Sequence, residues 1–290
     1  MKPELQKRLL VFQKNEITEY HIYQRLAAWL ERKSSANAEI LRRIALDEKR
    51  HYAIWQGHTE VDVRPRRWQV FKYYWLSRLL GFTFGIKLME RNEDSAHDTY
   101  SALADRIGEA KGIAEDENRH EDELIELLDE ERLQYTGSMV LGLNDALVEL
   151  TGALAGFTLA LQDTKLIAVT GLITGIAAAL SMAASEYLST KSEETEKSPL
   201  KASLYTGVAY IGTVFVLIAP YLVLPNYYVC LLLALIAAVV IIFLFNFYIS
   251  VAKDLNFKRR FFEMAGLSLG VALVSFGIGF VMRIFLGVDA

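Results

Sequence analysis

Cysteine is nearly absent from this chain, and its absence excludes several classes of protein. Cys230 is the only cysteine among 290 residues, so no disulfide framework and no zinc or iron site built on paired cysteines can form. An excess of positive charge is missing too, since the first 136 residues hold more acidic than basic side chains. That balance argues against nucleic-acid binding. Residues 1–14 are charged throughout, so no signal peptide is expected.

Charge is scarce in the second half of the chain. From residue 137 onward there are nine Lys or Arg and ten Asp or Glu, whereas the first 136 residues hold 22 and 25. All five histidines also lie in the first part, which has ample Leu, Ile, Trp and Tyr to build a core. The composition therefore predicts two domains, a charged one over 1–135 and an apolar one over 136–290.

The apolar part contains five runs long enough to cross a membrane. About 20 apolar residues suffice for one crossing, and the runs cover about residues 137–161, 166–189, 201–224, 227–252 and 263–287. The links after the second and fourth runs carry most of the Lys and Arg of this part. Because basic loops stay in the cytoplasm, the sequence predicts a cytoplasmic N-terminal domain and a C-terminus on the opposite side.

The charged part contains an internal duplication. A helical segment with one glutamate is followed by a segment with Glu-x-x-His, and the same order then recurs. The aligned glutamates and histidines are Glu16, Glu48, His51, Glu93, Glu117 and His120. Apolar residues recur with helical spacing in these segments. We therefore predict an all-α fold, in which a duplicated helix pair forms a ferritin-like four-helix bundle and a five-helix transmembrane domain follows.

The aligned residues suit a pair of metal ions. In Glu-x-x-His the two side chains lie one turn apart on the same helix face. One Glu from each of two helices and Glu-x-x-His from each of the other two is the ligand set of di-iron and di-manganese bundles. Carboxylate oxygens suit both metals. Glu-x-x-His also arises by chance on a solvated helix face, but its duplication favours the metal site.

With these residues, the first domain resembles a rubrerythrin-type, ferritin-like protein over about residues 1–135. The resemblance implies a di-iron site held by the six aligned residues, with manganese or zinc as alternative occupants. It adds Glu90, one turn before Glu93, to the ligands. It also places Tyr23 and Tyr100 in hydrogen bonds to carboxylates near the metals. The rubredoxin tail of that family is missing from this chain, which has a single cysteine.

Two of the apolar runs carry acidic residues. Asp145 and Glu149 lie one turn apart in the first run, and Met182 and Glu186 lie one turn apart in the second. An acid inside a span costs on the order of 3 kcal/mol by insertion scales, so it marks a functional site by default. Carboxylates together with a thioether suit a path for a divalent transition metal. A position at a helix end is the alternative explanation for Glu149 and Glu186.

The segments 142–147 and 181–189 contain these residues and resemble the vacuolar iron transporter family, over about residues 137–290. The resemblance implies that Asp145 and Met182 line the ion path of a homodimer that exchanges metal for protons. Eukaryotic members carry a long metal-binding insert between spans two and three. This loop is short here, and the ferritin-like domain would take over its role. As a whole, the chain resembles the membrane-bound ferritin type of fusion, which exports iron.

We therefore expect a cytoplasmic di-metal bundle that captures Fe(II) or Mn(II), joined to a proton-coupled exporter in a lipid membrane. Whether the bundle also oxidises iron stays open. The alternatives are a membrane-tethered di-iron oxidase or peroxidase, whose spans only anchor it, and an iron-storage module docked on a membrane. The basic and aromatic stretch 64–85 has two interpretations, a crossover in the bundle core or a helix at the membrane interface.

Overall fold

The structure, a computed structural model, describes residues 3–31, 34–90, 107–126, 135–193 and 197–286. Within these ranges it contains ten helices and no strand. The all-α prediction is therefore confirmed for the part of the chain that is described. The chain divides into two compact units, Met1–Glu130 and Glu131–Ala290.

Five helices are described in the first unit. They are α1 (Pro3–Leu30), α2 (Ser35–Thr59), α3 (Arg67–Leu80), α4 (Phe82–Glu90) and α5 (Glu109–Glu126). Helices α1 and α2 form an antiparallel hairpin around buried residues such as Leu26 and Leu41. The hydroxyl of Ser34 accepts a hydrogen bond from the backbone N–H of Asn37 and caps α2, as its sequence position predicts. Helix α5 then packs against α2.

The fourth helix of the predicted bundle falls largely outside the described residues. Glu93 and Tyr100 lie in the undescribed stretch 91–106, and the side chain of Glu90 is not described either. The structure therefore shows three of the expected helices. Helix α1 packs against α2, and α2 packs against α5. The ferritin-like four-helix bundle stays a prediction.

Helix α3, which lies in the stretch 64–85, has one buried and one exposed face. One face is buried through Val70, Tyr73 and Ser77, as expected of a helix that contributes to the core. The opposite face exposes large side chains, among them Trp68 and Trp75. The helix ends at Gly81, whose φ of 107° suits glycine.

The second unit consists of five long apolar helices. They are α6 (Thr136–Leu161), α7 (Thr164–Ser192), α8 (Pro199–Val223), α9 (Tyr227–Ala252) and α10 (Phe257–Leu286). All five are long and apolar enough to cross a membrane, so the chain is an integral membrane protein. The last helix begins six residues earlier than the predicted run, at Phe257. Polar residues extend a helix beyond its apolar part, and the side chain of Asn256 accepts a hydrogen bond from the N–H of Arg259 in its first turn.

Helix α6 packs against the four other helices of this unit. It approaches α8 so closely that a Cβ atom on Gly142 would clash with the carbonyl oxygen of Thr206. On another side, the hydroxyl of Ser268 in α10 donates to the carbonyl of Leu147 at 2.6 Å. The helix that carries Asp145 and Glu149 is therefore the central helix of the second unit.

Candidate functional site

A cluster of buried acids and histidines lies inside the first unit. Glu16 of α1, Glu48 and His51 of α2, and Glu117 of α5 place one ligand atom each within 4.8 Å of one another. Three of the four are buried, and Glu117 is half-buried. His120 of α5 adjoins the cluster. Three separate helices thus bring five of the predicted ligands together.

The imidazole Nδ1 atoms of both histidines face the carboxylates. Nδ1 of His51 lies 3.2 Å from Glu117 Oε1 and 3.6 Å from Glu16 Oε2. Nδ1 of His120 lies 3.2 Å from Glu48 Oε1 and 3.8 Å from Glu117 Oε2. The two rings lie 5.9 Å apart between centroids, inclined by 30°. The two Glu-x-x-His segments therefore meet face to face across α2 and α5.

Several atoms of this cluster are buried without a hydrogen bond of suitable geometry to any described residue. Among the described residues, Nδ1 of His51, Nδ1 of His120 and Oε2 of Glu48 are buried without an aligned hydrogen-bond partner. Buried polar atoms are normally paired, and exceptions call for an explanation. Imidazole nitrogens and carboxylate oxygens are ligands of iron, manganese and zinc. The residues therefore fit a metal site.

Burial and the neighbouring carboxylates determine the protonation of the histidines in the cluster. Burial alone would lower the pKa of His120, but the neighbouring Glu117 and Glu48 raise it to about 10. Burial would likewise lower the pKa of His51, and Glu117, Glu16 and Glu48 raise it instead. Burial raises the pKa of Glu16. Without metal, protons on the histidines therefore balance the buried carboxylates, and a cation would replace those protons.

Beyond the ligands, each histidine contacts an aspartate on the other helix. Nε2 of His51 lies 3.2 Å from Asp116 Oδ2, and Nε2 of His120 lies 3.1 Å from Asp47 Oδ2. When Nδ1 of an imidazole binds a metal, Nε2 carries the remaining proton and donates a hydrogen bond to such a carboxylate. The two aspartates therefore fix the orientation of the histidines that belong to the opposite helix.

Two arginines complete this arrangement. Arg50 lies 2.5 Å from Asp116 Oδ2 and 3.0 Å from Asp47 Oδ1. Arg119 lies 3.0 Å from Asp47 Oδ2 and 2.7 Å from Asp116 Oδ1. Both arginines thus bridge both aspartates and hold α2 and α5 in register at the level of the site.

We did not predict these four residues, although the sequence carries a signal for them. Residues 47–51 read Asp-Glu-Lys-Arg-His and residues 116–120 read Asp-Glu-Asn-Arg-His. The duplication therefore preserves Asp and Arg as well as the Glu and His that predicted the metal site. The structure also adds Trp55, whose indole N–H donates to Glu16 Oε1 at 3.1 Å.

Exchange of either aspartate for asparagine is expected to weaken metal binding roughly 10- to 100-fold. In Asp47→Asn and Asp116→Asn the histidine loses a charged acceptor while the size of the side chain is preserved. Titration of the metal-free protein with Co(II), followed by its visible absorption, measures the affinity. Glu115→Gln is the matched control, because Glu115 is exposed beside Asp116 and its ion pair within the described residues is with Lys111, at 3.9 Å. Equal affinities in all three variants would contradict the role of the aspartates.

Metal binding at the cluster is also expected to strengthen as the pH rises. Between about pH 6 and pH 8 both histidines of the metal-free protein hold protons, because their pKa values lie above that range. A metal must displace these protons, so the apparent affinity for Mn(II) should rise about tenfold per pH unit for each proton released. Calorimetric titration in buffers of different ionisation enthalpy counts the protons. Binding without proton release would contradict the expectation.

Not every predicted residue of the first unit is placed at the cluster. Tyr23 is buried in the apolar core of the helices, and its hydrogen bond to a carboxylate stays a prediction. Glu93, Tyr100 and the side chain of Glu90 lie outside the described residues. The described part of the site therefore accounts for the two Glu-x-x-His segments and for one of the two single glutamates.

In the second unit, the two glutamates of the spans contact hydroxyl groups of neighbouring helices. The phenol of Tyr210 in α8 donates to Glu149 Oε2 at 2.9 Å. The hydroxyl of Ser138 in α6 donates to Glu186 Oε1 in α7 at 2.5 Å. Asp145 is half-buried one turn before Glu149, and Met182 is half-buried against the core of the unit. Helices α6, α7 and α8 therefore share a set of polar side chains.

Similarity to known proteins falls on the same helices. Residues 136–196 match the VIT family. This region spans α6 and α7, and it contains all four residues predicted for the transport path. No curated protein matches the chain. The membrane helices that carry acidic residues are thus the helices that are similar to the VIT family.

Proposed function

We propose that this protein exports Fe(II) or Mn(II) across a membrane in exchange for protons, and that its first unit captures the metal on the cytoplasmic side. The observation that carries the proposal is the placement of Asp145, Glu149 and Glu186 in apolar helices that are similar to the VIT family. Acidic side chains within spans are costly and mark ion or proton pathways.

The groups around these acids suit a transported cation. Asp145 and Glu149 present carboxylates one turn apart on α6, and Met182 and Glu186 present a thioether and a carboxylate one turn apart on α7. Carboxylates favour Fe(II) and Mn(II), and the thioether adds a softer ligand. Tyr210 and Ser138 hold the two glutamates in place by hydrogen bonds. Protons compete with metal for the same carboxylates, which supports coupling of metal exit to proton entry.

The cluster of the first unit supports a role in capturing the metal before transport. The metal would be held by Glu16, Glu48, His51, Glu117 and His120. The two aspartates that contact the histidines would orient the imidazole rings. A pair of bound irons would supply redox chemistry to this site. The sidedness of the proposal comes from the basic loops, which predict a cytoplasmic first unit, and the homodimer comes from the resemblance to the transporter family.

A second candidate function is favoured by the same buried cluster. A site with two histidines and at least three carboxylates is also the ligand set of di-iron oxidases. In that case the spans only anchor the protein, and the wild type would transport no metal. Asp145→Ala would then leave the oxidation of iron by the intact protein unchanged.

Proton exchange provides the test of the proposal. The full chain is reconstituted into vesicles that contain a pH-sensitive dye, and Fe(II) is added under reducing conditions. We expect a change of internal pH that depends on Fe(II), since each metal ion that crosses would move protons in the opposite direction. Metal flux without any proton movement would contradict the antiport, and absence of both would contradict transport.

A further inference from the structure

The exposed face of α3 carries large apolar side chains that the metal cluster does not use. Four residues form this face: Trp68 is 71% exposed, Phe71 49%, Trp75 40% and Leu79 65%. Single apolar residues on a protein surface are common, but contiguous patches mark interaction sites.

The four side chains form one continuous strip. They follow each other at intervals of three and four residues, so they lie on one side of the helix. The ring centroids of Trp68 and Phe71 lie 5.8 Å apart, and those of Phe71 and Trp75 lie 6.2 Å apart. Val70, Tyr73 and Ser77 on the opposite side are buried. The helix is therefore amphipathic, with aromatic residues on both its inner and its outer face.

Basic residues surround the strip. Between residues 63 and 89 the chain has six Lys or Arg and no Asp or Glu, within a first part that is otherwise more acidic than basic. Arg67 and Arg78 are exposed on one edge of the strip, and Lys72 lies on the other. The guanidinium of Arg78 lies 5.3 Å from the centre of the Trp75 ring. Positive charge thus borders the aromatic strip on both edges.

We propose that this face of α3 docks on an anionic lipid surface. Tryptophan prefers the boundary between headgroups and acyl chains, and basic residues beside it attract anionic headgroups. A helix of this kind lies in the plane of the interface with its apolar face inserted. The same chain carries five helices that are long and apolar enough to cross a membrane, so the first unit is covalently joined to a membrane domain. A protein surface would bind the aromatic strip as well, but an anionic bilayer matches the tryptophans and the basic residues on both edges together.

The tryptophans of the protein provide a direct test in the full chain. All four, Trp29, Trp55, Trp68 and Trp75, lie in the first unit, so no tryptophan in the membrane helices contributes to the fluorescence. The protein is reconstituted with a chelator into vesicles of phosphatidylcholine and phosphatidylglycerol, in which the acyl chains are brominated near the headgroup. Bromine quenches only those indoles that enter the bilayer. Acrylamide, added separately, quenches those that face water.

Two variants assign the quenching to α3. We expect brominated lipid to quench the wild type and the Trp55→Phe variant, because Trp55 is buried. Trp68→Phe combined with Trp75→Phe should lose most of this quenching, with little risk to folding because both residues are exposed. Quenching should also be weaker in vesicles of phosphatidylcholine alone, because the basic residues then have no anionic partner.

The other outcomes overturn the proposal. If acrylamide but not brominated lipid quenches Trp68 and Trp75, the face is open to water. If neither quencher reaches them, a protein surface covers the face, and a second copy of this chain would reveal itself by a dependence on protein density in the vesicles. None of these outcomes tests metal transport, so the experiment can contradict lipid docking by α3 without contradicting the proposed function.

Discussion

Replacement of Glu48 with alanine is expected to lower the affinity of the first unit for Mn(II) or Fe(II) by at least roughly 100-fold. This loss exceeds the one expected for Asp47→Asn or Asp116→Asn, because those aspartates contact the histidine ligands and not the metal. Glu48 is 1% exposed and lies at the centre of the cluster. Its Oε1 is 3.2 Å from Nδ1 of His120, and its Oε2 is 3.8 Å from Nδ1 of His51. Glu117 also approaches both imidazoles, but Glu48 is the more deeply buried of these two carboxylates, so its removal takes away a central ligand.

The affinity is measured by titration of the metal-free full chain with Mn(II), followed by the loss of the electron paramagnetic resonance signal of free Mn(II). Glu39→Gln is the matched control, because Glu39 is exposed on the same helix. Glu48→Gln preserves the size of the side chain and separates the loss of a ligand from a failure to fold. If both Glu48 variants bound Mn(II) as tightly as the control, the cluster would not be a metal site.

Replacement of Asp145 with alanine is expected to reduce metal flux by roughly 100-fold, which corresponds to about 3 kcal/mol of lost stabilisation of the cation in its path. Asp145 lies within α6, one turn before Glu149, which the phenol of Tyr210 holds by a hydrogen bond. A pair of carboxylates compensates a divalent cation inside the membrane, and the loss of one leaves the charge of the cation half balanced.

Vesicles that contain a metal-sensitive dye measure this flux. Glu193→Gln is the control, because Glu193 is exposed just after the end of α7 and outside the apolar part of the helix. Metal binding to the first unit should be unchanged in Asp145→Ala, which separates transport from capture. Full flux in the Asp145→Ala variant would remove this residue from the path.

The helices of both units were largely predictable from local patterns. Apolar runs of about 20 residues predict spans because backbone polar groups in a membrane must be satisfied within a helix, and five such helices are present. The start of α10 was predicted six residues too late, since Lys258, Arg259 and Arg260 belong to the helix although they are not apolar. Hydropathy shows which part of a helix lies in the membrane, but it does not show where the hydrogen bonds of that helix begin and end.

The cluster was predictable only in part. Duplication of Glu-x-x-His indicates Glu48, His51 and Glu117, because residues three apart on a helix share a face. The aspartates act across the helix pair, since Asp47 contacts His120 and not His51. Such reciprocal contacts depend on the register of α2 against α5, which is a property of packing. Asp and Arg beside a charged motif also look like an ordinary solvated surface.

The partners of the membrane acids could not be predicted from the sequence. A tyrosine or a serine in an apolar run gives no local indication of its neighbour. Tyr210 lies 61 residues from Glu149, and Ser138 lies 48 residues from Glu186. Their contacts follow from the rotation of α7 and α8 about α6. Close backbone approach at Gly142 helps to set the position of α8, because any side chain at this residue would meet Thr206.

Transport of metal by the intact protein is the central claim, and one measurement tests it most directly. The wild-type chain is reconstituted into vesicles under a pH gradient, and the appearance of Fe(II) inside is followed with a dye beside protein-free vesicles. We predict a flux of Fe(II) that exceeds the leak of protein-free vesicles, increases with the pH gradient and is lost in Asp145→Ala. A flux from the wild type no greater than the leak, at any gradient, would contradict the account.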